Sequence, residues 1–334
     1  MSSLSESGLI DRYFRRLGAV RPDVVLGIGD DAALLRPPPG MDLAQTTDSL
    51  VEGVHFYPAA PPRSLGHRAL AINLSDLAAM GATPAWALLS LTLPEVDEPW
   101  LAEFAAGFGL LARQHGVALV GGNLSRGPLN VTVQLTGTVP AASALRRSGA
   151  SPGDEIWVSG TLGDAAFGLA CTVPLAAGGT AEASRVDAEA CATLRARFEF
   201  PSPRVALGIA LRGVATSCMD LSDGLLSDLP RLAGASGCGA VVEVEKLPLS
   251  AALQQVAGAE AWQRALGGGE DYELCFTAAP RHADQLRQIA AETAVPLRCC
   301  GVLRAAAGLE LRSRSGVIQF SQSPFDHFGN RRGN

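Results

Sequence analysis

Residues 27–39 run Gly27-Ile28-Gly29-Asp30-Asp31-Ala32-Ala33-Leu34-Leu35-Arg36-Pro37-Pro38-Pro39, directly after the apolar stretch Val24-Val25-Leu26. Gly27, Gly29 and Ala32 fit the GxGxxA spacing of a dinucleotide-binding turn. That turn must run into a long helix whose amino end faces the pyrophosphate. Pro37, Pro38 and Pro39 would break such a helix within about two turns. Two successive carboxylates would also repel phosphate unless a cation stood between them. The stretch is therefore read as a glycine-flexed loop presenting Asp30 and Asp31 as hard oxygen ligands to a divalent cation. A solvated acidic turn is the plainer alternative.

Outward from this loop the pattern alternates between strand and helix. DVVLGIG precedes it as a strand, and DLAQTTDSL follows the prolines as another. Leu70, Leu74 and Leu77 mark a helix over 63–80, stopped by Gly81, and Trp100, Phe104, Phe108 and Leu111 mark a second. Strands VALVG and NVTVQLTGTV come next, with Gly121-Gly122-Asn123 at the carboxyl end of the first, where open α/β sheets bind ligands. SGASPGDEI then reads as a domain-entry turn. A chain of 334 residues exceeds what one core usually organises. Two α/β domains are expected, 1–140 and 150–334, with the boundary near 141–152. The second repeats the alternation through EIWVSG, helices around 186–212, SCMDLSDG opening a helix, AVVEVEKL and YELCFTA.

Composition narrows the function classes. With 47% hydrophobic and 18% charged residues the chain can bury a core. A net charge of -6 disfavours a general nucleic-acid binder, which needs Lys and Arg to release counterions. No apolar run is long enough to span a membrane and no basic-then-apolar leader opens the chain, so a cytoplasmic location is expected. Seven Cys residues without CxxC spacing suit a reducing compartment. Cys299 and Cys300, adjacent on a strand, should point to opposite faces.

Polar residues recur where strands and helices meet. Thr46-Thr47-Asp48-Ser49 puts hydroxyls and a carboxylate at a strand end, which suits metal and phosphate contacts and equally suits helix capping. Asn73 and Asp76 share a face of an otherwise apolar helix; Asp76 either turns to solvent or has a partner. Asp220, Ser222 and Asp223 repeat the theme, with alternation aiming Asp220 and Ser222 to one side and Asp223 placed to cap the next helix. Gly267-Gly268-Gly269-Glu270 permits close backbone approach to a ligand or makes a hairpin turn. His55 stands in the loop after the Asp48 strand. Neither GxxxxGK[ST] nor the protein-kinase signatures occur, so ATP chemistry would need another scaffold.

In order along nearly the whole chain, GIGDDAAL (27–34), TTDSLVEGVHF (46–56), ALAINLSDLAAMGATP (69–84), LVGGN (119–123), RRSGASPGDEIWVSG (146–160), MDLSDGLLSDL (219–229) and LGGGEDYELCF (266–276) resemble the thiamine-monophosphate kinase family. The wider superfamily is similar to aminoimidazole ribonucleotide synthetase. The resemblance implies a two-domain α/β (α+β) fold, each domain a mixed sheet covered by helices, and a homodimer paired through the amino-terminal sheets. It also implies direct in-line transfer of the ATP γ-phosphoryl group to thiamine monophosphate, with several Mg2+ ions. Carried over, Asp31, Thr46, Thr47, Asp48, Asp76, Asn123, Asp220 and Asp223 match metal ligands. Gly122, Asn123, Arg147 and Ser222 match nucleotide contacts. His55, Glu270 and Phe325 match the positions that hold the thiamine phosphate. Asp48, Asp76 and Arg147 would carry the charge stabilisation of the transfer. One departure stands out: the family resembles GGD where this chain has Gly121-Gly122-Asn123, and an amide removes a charge. That substitution keeps open a nucleotide-binding regulator with weak turnover. Another ATP-using superfamily member is the second rival, although those with sulfur or selenium chemistry use a terminal Cys, and the first Cys here is Cys171.

Overall fold

The computed structural model describes residues 4–172 and 187–320. They form two compact units: residues up to Leu145 together with Glu199–Arg212, and Arg146–Phe198 together with the chain from Gly213 onward.

In the first unit, α1 (Glu6–Leu9) leads through a π-helical turn (Ile10–Phe14) to the short strands β1 (Val24–Leu26) and β2 (Leu34–Leu35). These two pair antiparallel, so the glycine–aspartate stretch is the loop of a hairpin and no helix follows it. The strand read over DVVLGIG is thus only three residues long. It stops because the chain reverses at the loop, where Arg15 Nη1 donates to the Ile28 carbonyl at 2.7 Å.

Beyond the hairpin come β3 (Met41–Val51), α2 (Pro62–Ala79), β4 (Thr83–Leu93), α3 (Glu98–Gln114), β5 (Ala118–Arg126) and β6 (Asn130–Pro140). The sheet order is β3-β6-β4-β5. β4 and β5 are parallel and the other pairs antiparallel. β5 does not end at Gly122 but runs on to Arg126. A register shift lets it do so: Ala87 faces Leu119 while Leu88 faces Gly121, which leaves Val120 as an extra residue.

α2 and α3 pack on the sheet through Leu70, Leu74, Leu77, Phe104 and Phe108, all essentially without solvent exposure. Asp97 caps α3 by accepting the Trp100 N–H at 3.1 Å. The hairpin covers part of the sheet's other face, Val24 and Leu35 packing against Trp86 and Val120, and the rest stays open, with Leu43 and Leu88 exposed.

The second unit contains β7 (Glu155–Ser159), α4 (Asp164–Thr172), α5 (Ala188–Glu199), β8 (Ser217–Asp220), α7 (Leu225–Ala235), β9 (Gly239–Glu243), α8 (Ala251–Ala257), α9 (Ala261–Gly267), β10 (Leu274–Ala278), α10 (Ala283–Thr293), β11 (Leu297–Arg304), β12 (Leu309–Ser313) and β13 (Gly316–Ile318). The sheet order is β13-β12-β9-β11-β7-β10-β8, mixed because β12 runs parallel to β9. Its core gathers Ile156, Val158, Leu229, Leu232, Val242, Cys275 and Cys300. Cys300 is fully buried while Cys299 is half-buried, as opposite strand faces require. The remaining helix, α6 (Val205–Ala210), lies on the second half of the sequence but packs in the first unit. A Cβ on its Gly208 would stand 2.0 Å from the Ala78 carbonyl oxygen, so only glycine lets α6 seat against α2.

Candidate active site

Side-chain alternation along β3 separates its polar residues. Thr46, Asp48 and Leu50 turn toward the helix side, and Gln45, Thr47 and Ser49 toward the open face, as their alternating burial records. On the helix side Thr46 Oγ1 donates to Asp76 Oδ2 at 2.5 Å. Asp76 therefore has a partner on the sheet, and α2, whose neighbouring polar residues Asn73 and Ser75 are buried, delivers it there half-buried. Thr46 and Asp76 thus pair as hard oxygen donors, and Asp48 turns to the same side of β3. Thr47 stands apart from them, its hydroxyl donating to the Val133 carbonyl at 3.1 Å.

On the open face lies a cavity of about 1010 Å³ whose lining includes Asp30, Asp31, Gly122, Asn123, Gln134 and Thr136. The Asp31 N–H donates to Asp30 Oδ1 at 2.9 Å, which shapes the tip of the hairpin. Gly122, with φ +150°, has no room for a side chain: a Cβ would sit 1.8 Å from the Leu89 carbonyl oxygen. Asp31 and Asn123 therefore share one cavity, which Thr46, Asp48 and Asp76 do not line. His55 closes a tight turn in which its Nδ1 accepts the Val51 N–H at 3.0 Å. That bond leaves Nε2 as the protonated ring nitrogen of the neutral side chain.

In the second unit Asp220 is buried at the end of β8. The strand stops there, so Ser222 belongs to the loop before α7 and not to a continuing strand face. Gly224 is the residue that caps α7. Asp223 does not cap that helix as anticipated; its carboxylate takes Arg231 Nη1 at 2.6 Å. Asp228, fully buried, accepts the Asp223 N–H at 2.9 Å and Arg231 Nη1 at 2.9 Å. Burial above all pushes the Asp228 carboxyl up to about 6.

Facing this loop, the Glu270 N–H donates to the Ser222 carbonyl at 2.9 Å and the Tyr272 N–H to Leu221 at 3.0 Å. Ser222, Asp223 and Glu270 are thereby brought together. Arg147 is exposed next to Arg146, whose carbonyl accepts the Cys218 N–H of β8 at 2.8 Å. Phe325 lies outside the described residues. Arg15 and Arg197 carried no signal in the sequence as parts of a site, because each acts on backbone or charge supplied by another segment, Ile28 for Arg15 and Glu273 for Arg197. Leu-Ser-Asp occurs at both 74–76 and 221–223, and the fold treats the two differently: the first is helix interior, the second a loop.

Fold and site together define an AIR synthase-related protein. The model of the AIR synthase related protein N-terminal domain matches residues 29–139, and that of the C-terminal domain residues 151–313. The thiamine-monophosphate kinase of Salmonella typhimurium is 46% identical over 97% of this chain and 98% of its own length. A crystal structure of thiamine-monophosphate kinase from Stenotrophomonas maltophilia K279a superposes with a TM-score of 0.81 at 46% identity, covering 87% of this chain and 92% of that one. AaThiL complexed with AMPPCP and TMP superposes with a TM-score of 0.76 at 31% identity, covering 90% and 92%. The chain belongs to the thiamine-monophosphate kinase family.

Proposed function

We propose that this chain phosphorylates thiamine monophosphate to thiamine diphosphate with ATP as donor. The observation that carries this reading is 46% identity to a thiamine-monophosphate kinase sustained over 97% of the chain. A phosphate oxygen of thiamine monophosphate attacks the γ-phosphorus of ATP in line, the bond from that phosphorus to the β–γ bridging oxygen breaks, and ADP leaves. The acceptor phosphate is already ionised at neutral pH, so no protein nucleophile is needed. Positioning and charge neutralisation then supply the acceleration.

The oxygen donors of the first unit fit Mg2+. Asp48, Asp76 and the Thr46 hydroxyl on one face, and Asp31 with Asn123 in the cavity, are all hard ligands. Among the described residues no three His, Cys, Asp or Glu side chains form a metal-holding group. Mg2+ needs no such cage, since it is commonly held by one or two carboxylates together with substrate phosphates and water. Thr47, Asp220 and Asp223 complete the proposed ligand set. Bound Mg2+ would supply charge neutralisation and alignment of the phosphates.

In this reading Gly122, Asn123, Arg147 and Ser222 hold the nucleotide. Arg147 offsets charge developing on the transferred group, and His55, Glu270 and Phe325 hold the acceptor. A homodimer joined through the open sheet face and a cytoplasmic location belong to the same reading. No described helix is long and apolar enough to cross a membrane.

The test is an assay with ATP, Mg2+ and thiamine monophosphate that measures thiamine diphosphate. Product formed in proportion to ADP supports the kinase. Tight ATP binding without product would favour a regulator, the reading that Asn123 keeps alive.

A further inference from the structure

The loop that carries Glu270 has an unusual backbone. Glu270 and Tyr272 both sit in the left-handed region, at φ +70° and +50°, although neither is glycine. Each such residue costs on the order of 1 kcal/mol and persists only where its surroundings over-determine it. Two acids alternate with them, and both are buried deep in the second unit: Asp271 is 3% exposed and Glu273 0%.

Asp271 clamps the amino end of α4. Its two carboxylate oxygens accept the Gly163 N–H at 2.6 Å and the Ala165 N–H at 3.1 Å. Burial pushes its carboxyl up to about 8, against the pull of those two N–H groups. Glu273 takes Arg197 Nη2 of α5 at 2.7 Å and the Ser159 hydroxyl of β7 at 2.6 Å. The same Ser159 oxygen accepts the Leu274 N–H at 2.8 Å. Arg197 Nε stands 3.8 Å from Asp164, and Asp164 also accepts the Ser250 hydroxyl, at the cap of α8, at 2.6 Å. Three helices and two strands are therefore tied to the two residues that flank Tyr272 and follow Glu270.

We propose that Asp271 and Glu273, with Arg197 and Ser159, are positioning residues that force Glu270 into its left-handed conformation and so aim it at the acceptor. The inference rests on the assignment of Glu270 to thiamine monophosphate in the preceding section. Of the acids in the Glu270-Asp271-Tyr272-Glu273 run, only Glu270 meets ligand; the other two hold the frame. Neither is assigned to substrate.

Asp271→Asn puts an amide NH2 against a backbone N–H, and Glu273→Gln keeps the size of the side chain while removing the ion pair to Arg197. Both variants, purified and confirmed folded by circular dichroism, are assayed for KM toward each substrate. KM for thiamine monophosphate is expected to rise about tenfold, equivalent to about 1.4 kcal/mol, with KM for ATP and kcat within about twofold. Val242→Ala, an equally buried core change in the same unit, serves as the stability control and should move neither KM.

Should Glu273→Gln fail to fold, Ser159→Ala removes the bonds to Glu273 and to the Leu274 N–H while leaving the Arg197 ion pair in place, and carries the same asymmetry at about threefold. An unchanged KM for the acceptor, or equal rises for both substrates as in a merely destabilised protein, overturns the proposal. Glu270→Gln separates the two levels. If it raises the acceptor KM while Glu273→Gln does not, the positioning role fails alone. If it has no effect, the assignment of Glu270 fails, and the inference with it.

Discussion

Asn123 lines the cavity beside Asp31, where an amide offers a cation one carbonyl oxygen and no charge. Restoring the carboxylate should strengthen the site, since an added unit charge near an exposed cation is worth about 1 kcal/mol. Asn123→Asp is therefore predicted to lower the half-saturating Mg2+ concentration about fivefold in the kinase assay. Isothermal titration of Mg2+ into the ATP complex checks the affinity directly. An unchanged titration would place residue 123 outside the metal's coordination. At this scale residue types were legible before the fold was known: Asp, Thr and Asn in the quoted motifs name an oxygen-donor chemistry. Their orientation was not. Thr46 and Thr47 are neighbours in sequence, yet one reaches Asp76 and the other the backbone of β6.

Among the elements, α2 and α3 approach closely, and two glycines face backbone there. A Cβ on Gly66 would lie 2.1 Å from the Phe104 carbonyl oxygen, and one on Gly107 2.0 Å from that of Arg63. Alanine normally favours a helix over glycine by up to about 1 kcal/mol. Here the added methyl must push the helices apart, so Gly66→Ala is predicted to destabilise the protein by about 2–3 kcal/mol. Gly234→Ala in α7, where a Cβ meets nothing within 4 Å, should instead stabilise by about 0.5–1 kcal/mol. Urea unfolding of both variants tests the contrast, and a loss in both would sink it.

Residue pattern located α2 and β3 to within a residue or two and marked the existence of α3, whose apolar residues Phe104, Phe108 and Leu111 recur at helical spacing and are buried. It misjudged β5 because paired glycines read as a strand end. In the fold Val120 is taken up as an extra residue and pairing with β4 resumes. The hairpin of β1 and β2 escaped the same reading, since two-residue and three-residue strands are too short to show a period.

For the whole molecule, the open face of the first unit's sheet is the feature with consequences. Leu43 is 50% exposed and Leu88 41%, on a sheet whose other face is covered by helices. Exposed leucines set among Gln45, Thr47 and Ser49 on a sheet face suit an interaction surface, and the proposed occupant is a second copy of the chain. Leu43→Asp, outside the candidate site, exchanges burial worth about 2 kcal/mol for an unpaired charge. Analytical ultracentrifugation should find a dimer for the native chain, and for the variant an equilibrium weakened about 100-fold or more. A native chain that sediments as a monomer would refute the interface.

Taken alone, the amino-acid sequence determined the family and the α/β class of its two domains, because these depend on residue type and on order along the chain. Tertiary structure alone decided that Asp76 meets Thr46, that α6 returns to the first unit, and that Asp271 and Glu273 turn inward while Glu270 takes a left-handed backbone. Each of those outcomes is set by a partner far away in sequence, whose backbone or charge makes one orientation cheaper than the others, and no local pattern encodes where that partner will be.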